Sequence, residues 1–222
     1  TATTAQIPST LRILHLLRHT HPTSRVILGG PHATLCHSAR HTHRGHRAFD
    51  QLLTLFNTVV VGDGEKAIFE AISDNPPILV NADDPKSYLF LTPADLAAAP
   101  LPARHLLDVS SYHYKIDGLP TLSLIAQLGC PFGCGFCGGR SSPFLRRIRT
   151  RPTSKVISEL HHLHHTYSTR GFMFLDDELN VSLSMVELMD AITSLQLSLS
   201  TTFRLRGFIK SELFTPQQAA SM

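Results

Sequence analysis

The stretch LGCPFGCGFCGG, residues 128–139, places Cys130, Cys134 and Cys137 in one short loop. A closed zinc finger brings four ligands and a disulfide framework an even number of thiols, so three clustered cysteines point elsewhere. Spacings of three and then two residues let consecutive thiolates curl around three corners of a cubane iron–sulfur cluster, with Gly133 and Gly135 permitting the backbone turns. The fourth iron is then left without a protein ligand, and an open metal position can take a substrate or cofactor. A fully ligated electron-transfer site would want a further cysteine after Cys137; the remaining cysteine is Cys36, far upstream. Cys36 reads as a small packing residue near a helix start.

Other residues capable of chemistry are less clustered. Asp176, Asp177 and Glu178 close the apolar run GFMFL, and as an acidic helix start they would complement a helix dipole. Arg204 and Arg206 suit a carboxylate or phosphate, or equally a surface ion pair. His161 and His165 stand one helical turn apart without a carboxylate or cysteine beside them, and read as a solvated helix face. The histidines of HTHRGHR, residues 41–47, read as a polar loop.

The elements that must position these groups follow an α/β grammar. LRILHLLR, residues 11–18, has helical spacing, and RVILGG, residues 25–30, is a β-branched run closed by glycines. CHSARHTHRGHRAFD reads as polar and irregular. NTVVVGDGEKAIFEAI is strand, Gly-x-Gly turn and amphipathic helix. From Asn75 to Pro102 the pattern loosens and prolines gather, predicting a linker. The grammar then restarts: a strand over 121–129, a helix from Thr153 or Ser154 as N-cap, a strand ending in acids, a helix, a strand at TTFRLRGF and a final helical turn. Three βα units without a hairpin predict the opening of a (β/α) barrel.

Composition bounds the rest. With 222 residues, 42 % of them apolar, the chain can bury a sizeable core. A net charge of +3 with 17 % charged residues is too weak and dispersed to argue for nucleic acid or a membrane surface. The apolar runs fall far short of the ~20 residues that cross a bilayer, and no export signal is visible. The expectation is a cytosolic, cytoplasmic protein with no nucleic-acid or membrane partner.

CPFGCGFC, entered from a strand at the start of a βα barrel and with Phe136 before its third cysteine, resembles the signature of radical S-adenosylmethionine (radical SAM) enzymes. The resemblance implies a [4Fe-4S] cluster on Cys130, Cys134 and Cys137 whose open iron binds S-adenosyl-L-methionine. It also implies reductive cleavage of that sulfonium to a 5′-deoxyadenosyl radical, with an electron from an external donor of flavodoxin or ferredoxin type. Phe136, Asp176, Asp177 and Glu178 are implied cofactor contacts, one of the carboxylates meeting the methionyl ammonium; the family's usual Gly-Gly-Glu form is absent.

VILGGPHAT, residues 26–34, resembles a loop of cobalamin-binding domains, and VVVGDGEKAIFE resembles the Gly-Glu-Gly-Glu turn that follows, with Asp63 replacing the first Glu. By resemblance Gly29, Gly30, Pro31, His32, Gly62, Gly64 and Glu65 approach cobalamin at strand C-termini. The Asp-x-His-x-x-Gly element of an axial histidine is missing, and His32 does not take that role.

The resulting expectation is an α/β chain: a partial cobalamin-binding open parallel sheet over 1–92, a linker over 93–118, and the first βα units of a radical SAM barrel over 119–222. An incomplete sheet and barrel predict an internal piece of a longer protein. The implied activity is cobalamin-dependent methyl transfer to an unreactive carbon of a small metabolite, a transferase. Two alternatives stand beside it: a cobalamin-independent radical enzyme resembling methylthiotransferases, which would carry further cysteines before Cys130, and a non-catalytic zinc-binding module.

Overall fold

The computed structural model describes residues 1–182 and 184–222, which divide into two compact units: residues 1–91 with 131–147, and residues 92–130 with 148–222. The chain therefore changes unit between Cys130 and Pro131, inside the cysteine loop. No such crossing is implied by the expected segments 1–92, 93–118 and 119–222.

Unit 1 begins with helix α1 (Ile7–Thr20), strand β1 (Ile27–Leu28), helices α2 (Pro31–Ser38) and α3 (His43–Leu55), strand β2 (Thr58–Gly62), helix α4 (Gly64–Ala71) and strand β3 (Leu79–Ala82). The strands form an all-parallel sheet in the order β1-β2-β3. Helices cover both faces, so β2 is a continuous apolar run rather than an alternating one. Val59 and Val61 pack with Phe49, Leu52 and Phe56, while Val60 packs with Ala67, Ala71 and Val80.

Residues 36–50, expected to be irregular, instead lie largely in α2 and α3. Their many histidines disguise a narrow apolar face, to which His37 adds its ring, 5.1 Å from that of Phe49. Thr42 caps α3 by accepting from the Gly45 amide. β3 likewise escaped the sequence pattern, being four residues long beside a Pro-Pro pair.

Unit 2 opens with helix α5 (Pro93–Ala98), whose Thr92 and Asp95 form a capping box. Strands β4 (Lys115–Ile116) and β5 (Leu119–Leu124) pair as an antiparallel hairpin across Asp117 and Gly118, both at positive φ. This hairpin was not expected. The predicted strand over 121–129 is interrupted: β5 ends at Leu124, and strand β6 (Gln127–Leu128) departs to another partner. Residues 131–147 belong to unit 1 and hold the short helix α6 (Pro143–Arg146).

Back in unit 2, strand β7 (Arg149–Thr150) pairs antiparallel with β6. Helix α7 (Thr153–Tyr167), strand β8 (Gly171–Phe174), helix α8 (Met185–Ser198), strand β9 (Arg204–Arg206) and helix α9 (Pro216–Ser221) follow. The sheet order is β4-β5-β8-β9, with β5, β8 and β9 parallel. Val156, Leu160 and Leu163 lie on one face of α7 and join Phe172, Phe174, Met185, Leu188 and Ile192 in the core. The N-cap of α7 is Pro152 rather than Thr153 or Ser154, and no side chain caps it. Taken together, the chain is an α/β protein with parallel sheets. No helix among the described residues is long and apolar enough to cross a membrane.

Candidate functional site

β5 delivers the chain toward the cysteines, and its interruption after Leu124 has a visible cause. Asp176, 1 % exposed just beyond β8, accepts the amides of Ala126 (3.1 Å) and Gln127 (2.5 Å), donors that a longer strand would have given to a neighbour. The next carboxylate, Asp177, accepts the Gly129 amide. Two successive acids thus fix the backbone immediately ahead of Cys130.

Burial pushes the Asp176 carboxyl up to about 6, against the pull of the Ala126 and Gln127 amides, and the neighbouring Asp177 charge adds to the rise. Burial also raises Asp177, opposed by the Gly129 amide. For a carboxyl raised in the fold, the native state holds the extra proton between the ordinary value of 3.8 and about 6. Stability from Asp176 is therefore greatest below that window and falls as pH rises through it, by roughly 3 kcal/mol at most. Melting temperatures of wild type and Asp176→Asn between pH 4.5 and 6.5 check this. The wild type should lose stability relative to the variant with rising pH, and parallel curves would contradict the shift.

Glu178 differs from its neighbours. Its backbone carbonyl accepts the Gln127 side-chain amide, while its carboxylate Oε2 is buried with no hydrogen-bond partner among the described residues. A buried carboxylate oxygen without a donor is costly, and that oxygen gives Glu178 capacity for a cationic ligand.

Along the loop itself, Cys130 and Cys134 are half-buried and Cys137 is exposed. The Cys137 amide donates to the Cys134 carbonyl at 3.0 Å, closing a turn, and Phe136 is 94 % exposed. A Cβ placed on Gly135 would meet nothing within 4 Å, and one on Gly133 would meet only the Arg146 guanidinium, so space around the turn is open. Soft thiolates with open backbone around them fit an iron–sulfur cluster by donor type. Among the described residues no three histidine, cysteine or acidic side chains are already gathered as a metal-holding group.

The two glycine turns of unit 1 differ from each other. Residues 1–4 lie over the Gly29–His32 turn: the Ala2 amide donates to the Gly29 carbonyl, the His32 amide to the Ala2 carbonyl, and His32 Nδ1 lies 3.1 Å from Thr4 Oγ1. Gly30, at φ +102°, is required because a Cβ would stand 2.9 Å from the Ala2 nitrogen. Gly62, at φ +85°, is required because a Cβ would overlap the Ala82 backbone. Both glycines thus have reasons internal to the fold. Pro31 is exposed, and burial lowers the pKa of the half-buried His32. Gly64 and Glu65, exposed at the start of α4, are open: nothing lies within 4 Å of a Gly64 Cβ.

Arg206 donates to the Tyr114 hydroxyl at 3.0 Å and Arg204 pairs with the exposed Asp117 at 3.4 Å, so both have surface partners. The rings of His161 and His165 stack 6.3 Å apart on α7. Sequence reasoning overlooked a buried triad: Glu159 of α7 meets Arg104 and Arg151, each at 2.7 Å. The signal available was a lone acid at a core-facing position of an apolar helix stripe.

No protein-family model matches the chain. It is 27 % identical over 193 residues to an uncharacterized methyltransferase of Pyrococcus horikoshii, covering 80 % of this chain. The chain spans 38 % of that protein's length.

Proposed function

We propose that this chain contributes to a methyltransferase of the radical S-adenosylmethionine type, with Cys130, Cys134 and Cys137 as ligands of a [4Fe-4S] cluster. The carrying observation is the difference among the three carboxylates: both Asp176 oxygens take backbone amides ahead of Cys130, the exposed Asp177 takes the Gly129 amide, and Glu178 keeps a buried oxygen without a donor among the described residues. The likeness to a methyltransferase over most of the chain supports the reaction class.

A cluster held by Cys130, Cys134 and Cys137 would supply the electron for reductive cleavage of the sulfonium's carbon–sulfur bond. The protein's share is to bind and orient. The three cysteines supply thiolates, Asp176 and Asp177 fix the approach of the chain to the first of them, and Glu178 receives the methionyl ammonium. The finer part of the proposal is cobalamin as methyl carrier at the strand C-termini of unit 1, with Gly64 and Glu65 the open contacts; use of the Gly29–His32 turn requires displacement of Ala2 and Thr4. A small metabolite as methyl acceptor and a flavodoxin- or ferredoxin-type protein as electron donor complete it.

Anaerobic reconstitution with iron and sulfide tests the core of the proposal. The expected product is a brown protein with broad blue-region absorption; stoichiometric zinc and no chromophore would sink it in favour of a zinc-binding module. Glu178→Gln should weaken S-adenosylmethionine binding to the reconstituted protein about 10–100-fold by equilibrium dialysis, the worth of a hydrogen bond to a charged group. Full affinity in Glu178→Gln together with loss in Asp177→Asn would move the ammonium contact to Asp177. Hydroxocobalamin binding should be lost in Gly64→Trp, and equal binding by both proteins would remove Gly64 from the contact.

A further inference from the structure

Residues 131–147 carry Cys134 and Cys137 together with Gly133, Gly135, Gly138 and Gly139. A glycine-rich stretch of this kind has much backbone entropy to lose, and something must hold it. Two arginines do so by capturing carbonyls. Arg146 donates Nη2 to the Pro131 carbonyl at 2.5 Å and Nη1 to the Arg140 carbonyl at 3.2 Å, and Arg140 donates to the Gly135 carbonyl. A Cβ on Gly133 would stand 3.4 Å from Arg146 Nη1, so the guanidinium lies against the loop.

Arg146 is the last residue of α6, and α6 is itself held from the sheet of unit 1. Its N-cap Ser142 is fully buried and donates Oγ to Asp83 Oδ1 at 2.7 Å; the Phe144 amide donates to the same oxygen at 2.8 Å. Asp83, 3 % exposed, directly follows β3, and its other oxygen lies 3.8 Å from His37 Nδ1. These contacts form one line of force from the end of β3 through Asp83, α6 and Arg146 to the carbonyls on either side of Cys134.

We infer that Asp83 is a positioning residue for the cysteine loop, acting through α6 and the Arg146 guanidinium. Its consequence for cluster loading rests on the proposed function; its consequence for the free thiols does not. Arginine is suited to this task because one planar fork reaches two carbonyls at once, which a lysine ammonium on a flexible stem does not reproduce.

The test uses the full chain without metal and again after anaerobic reconstitution. Iodoacetamide alkylation of Cys134 is read by peptide mass spectrometry against the half-buried Cys36. Asp83→Ala and Arg146→Gln should each raise the Cys134:Cys36 rate ratio about fivefold or more, as local opening becomes easier. The double variant should rise no further, because both changes cut the same line. Asp83→Asn, which keeps one oxygen able to accept both donors, should restore the wild-type ratio; Arg146→Lys should not. Leu163→Ala, a core change in unit 2 away from both thiols, lowers the melting temperature and should leave the ratio unchanged. An unchanged ratio in both single variants, multiplied effects in the double variant, a raised ratio in Leu163→Ala, or rescue by Arg146→Lys would overturn the inference.

Iron content after reconstitution separates this inference from the reading it rests on. Wild type should take up about four irons per chain and Asp83→Ala half of that or less. A wild type that takes up no iron overturns the cluster while the alkylation ratios still decide the role of Asp83. A loaded wild type with unchanged ratios in the variants overturns the role of Asp83 alone.

Discussion

Glu159→Gln should lower the stability of the chain by about 3–5 kcal/mol, the cost of breaking a buried ion pair by removing one partner. Glu159 is 1 % exposed, and Arg104 and Arg151 each reach one of its two carboxylate oxygens at 2.7 Å. The same guanidiniums donate to the carbonyls of Ser123 (2.7 Å) and Ile125 (2.6 Å), at the end of β5 and just beyond it. Glutamine fills the same volume and removes the charge, leaving two guanidiniums facing each other in a site mostly closed to water. The melting temperature should drop by roughly 6–20 °C for a chain of this size. Replacing all three residues by apolar ones of similar volume, Glu159→Leu with Arg104→Met and Arg151→Met, should recover most of that loss, because no unpaired charge is then left behind. A Glu159→Gln protein that melts within 2 °C of wild type, a margin of about 1 kcal/mol or less, would show that the triad is solvated rather than buried.

Replacing Cys130, Cys134 and Cys137 together by alanine should abolish iron and sulfide uptake while leaving the melting curve of the metal-free chain nearly unchanged. The two effects separate because these cysteines are half-buried or exposed and lie outside the three apolar clusters. Substitutions at such positions cost within about 0.5 kcal/mol. The two variants contrast: one change removes stability, the other removes only the three thiols proposed as metal ligands. Persistence of the blue-region absorption in the triple variant would place the iron elsewhere in the chain.

Much of the framework was legible from local pattern. The run TVVVG announced β2, GFMF announced β8, and the spacing of Val156, Leu160 and Leu163 announced α7, because burial on both sides or on one stripe writes itself into residue order. α2 and α3 were hidden by histidines that pack while remaining polar by composition. β3 and the β4–β5 hairpin were too short to carry a period. The break after Leu124 could not be read locally either, since the acceptor responsible, Asp176, lies 50 residues further along the chain.

The amino-acid order by itself determined that three thiols share one glycine-bearing loop, that a strand leads into it, and that three acids follow the next parallel strand. Only the tertiary structure distinguished those acids. Asp176 and Asp177 accept amides from residues 126, 127 and 129, while Glu178 retains a buried oxygen without a donor among the described residues. It likewise joined Asp83 to Ser142, 59 positions apart, and so linked the end of β3 to the loop that carries Cys134 and Cys137. A carboxylate's chemistry depends on which donors reach it, and those donors come from distant segments that only folding brings within 3 Å or so of its oxygens.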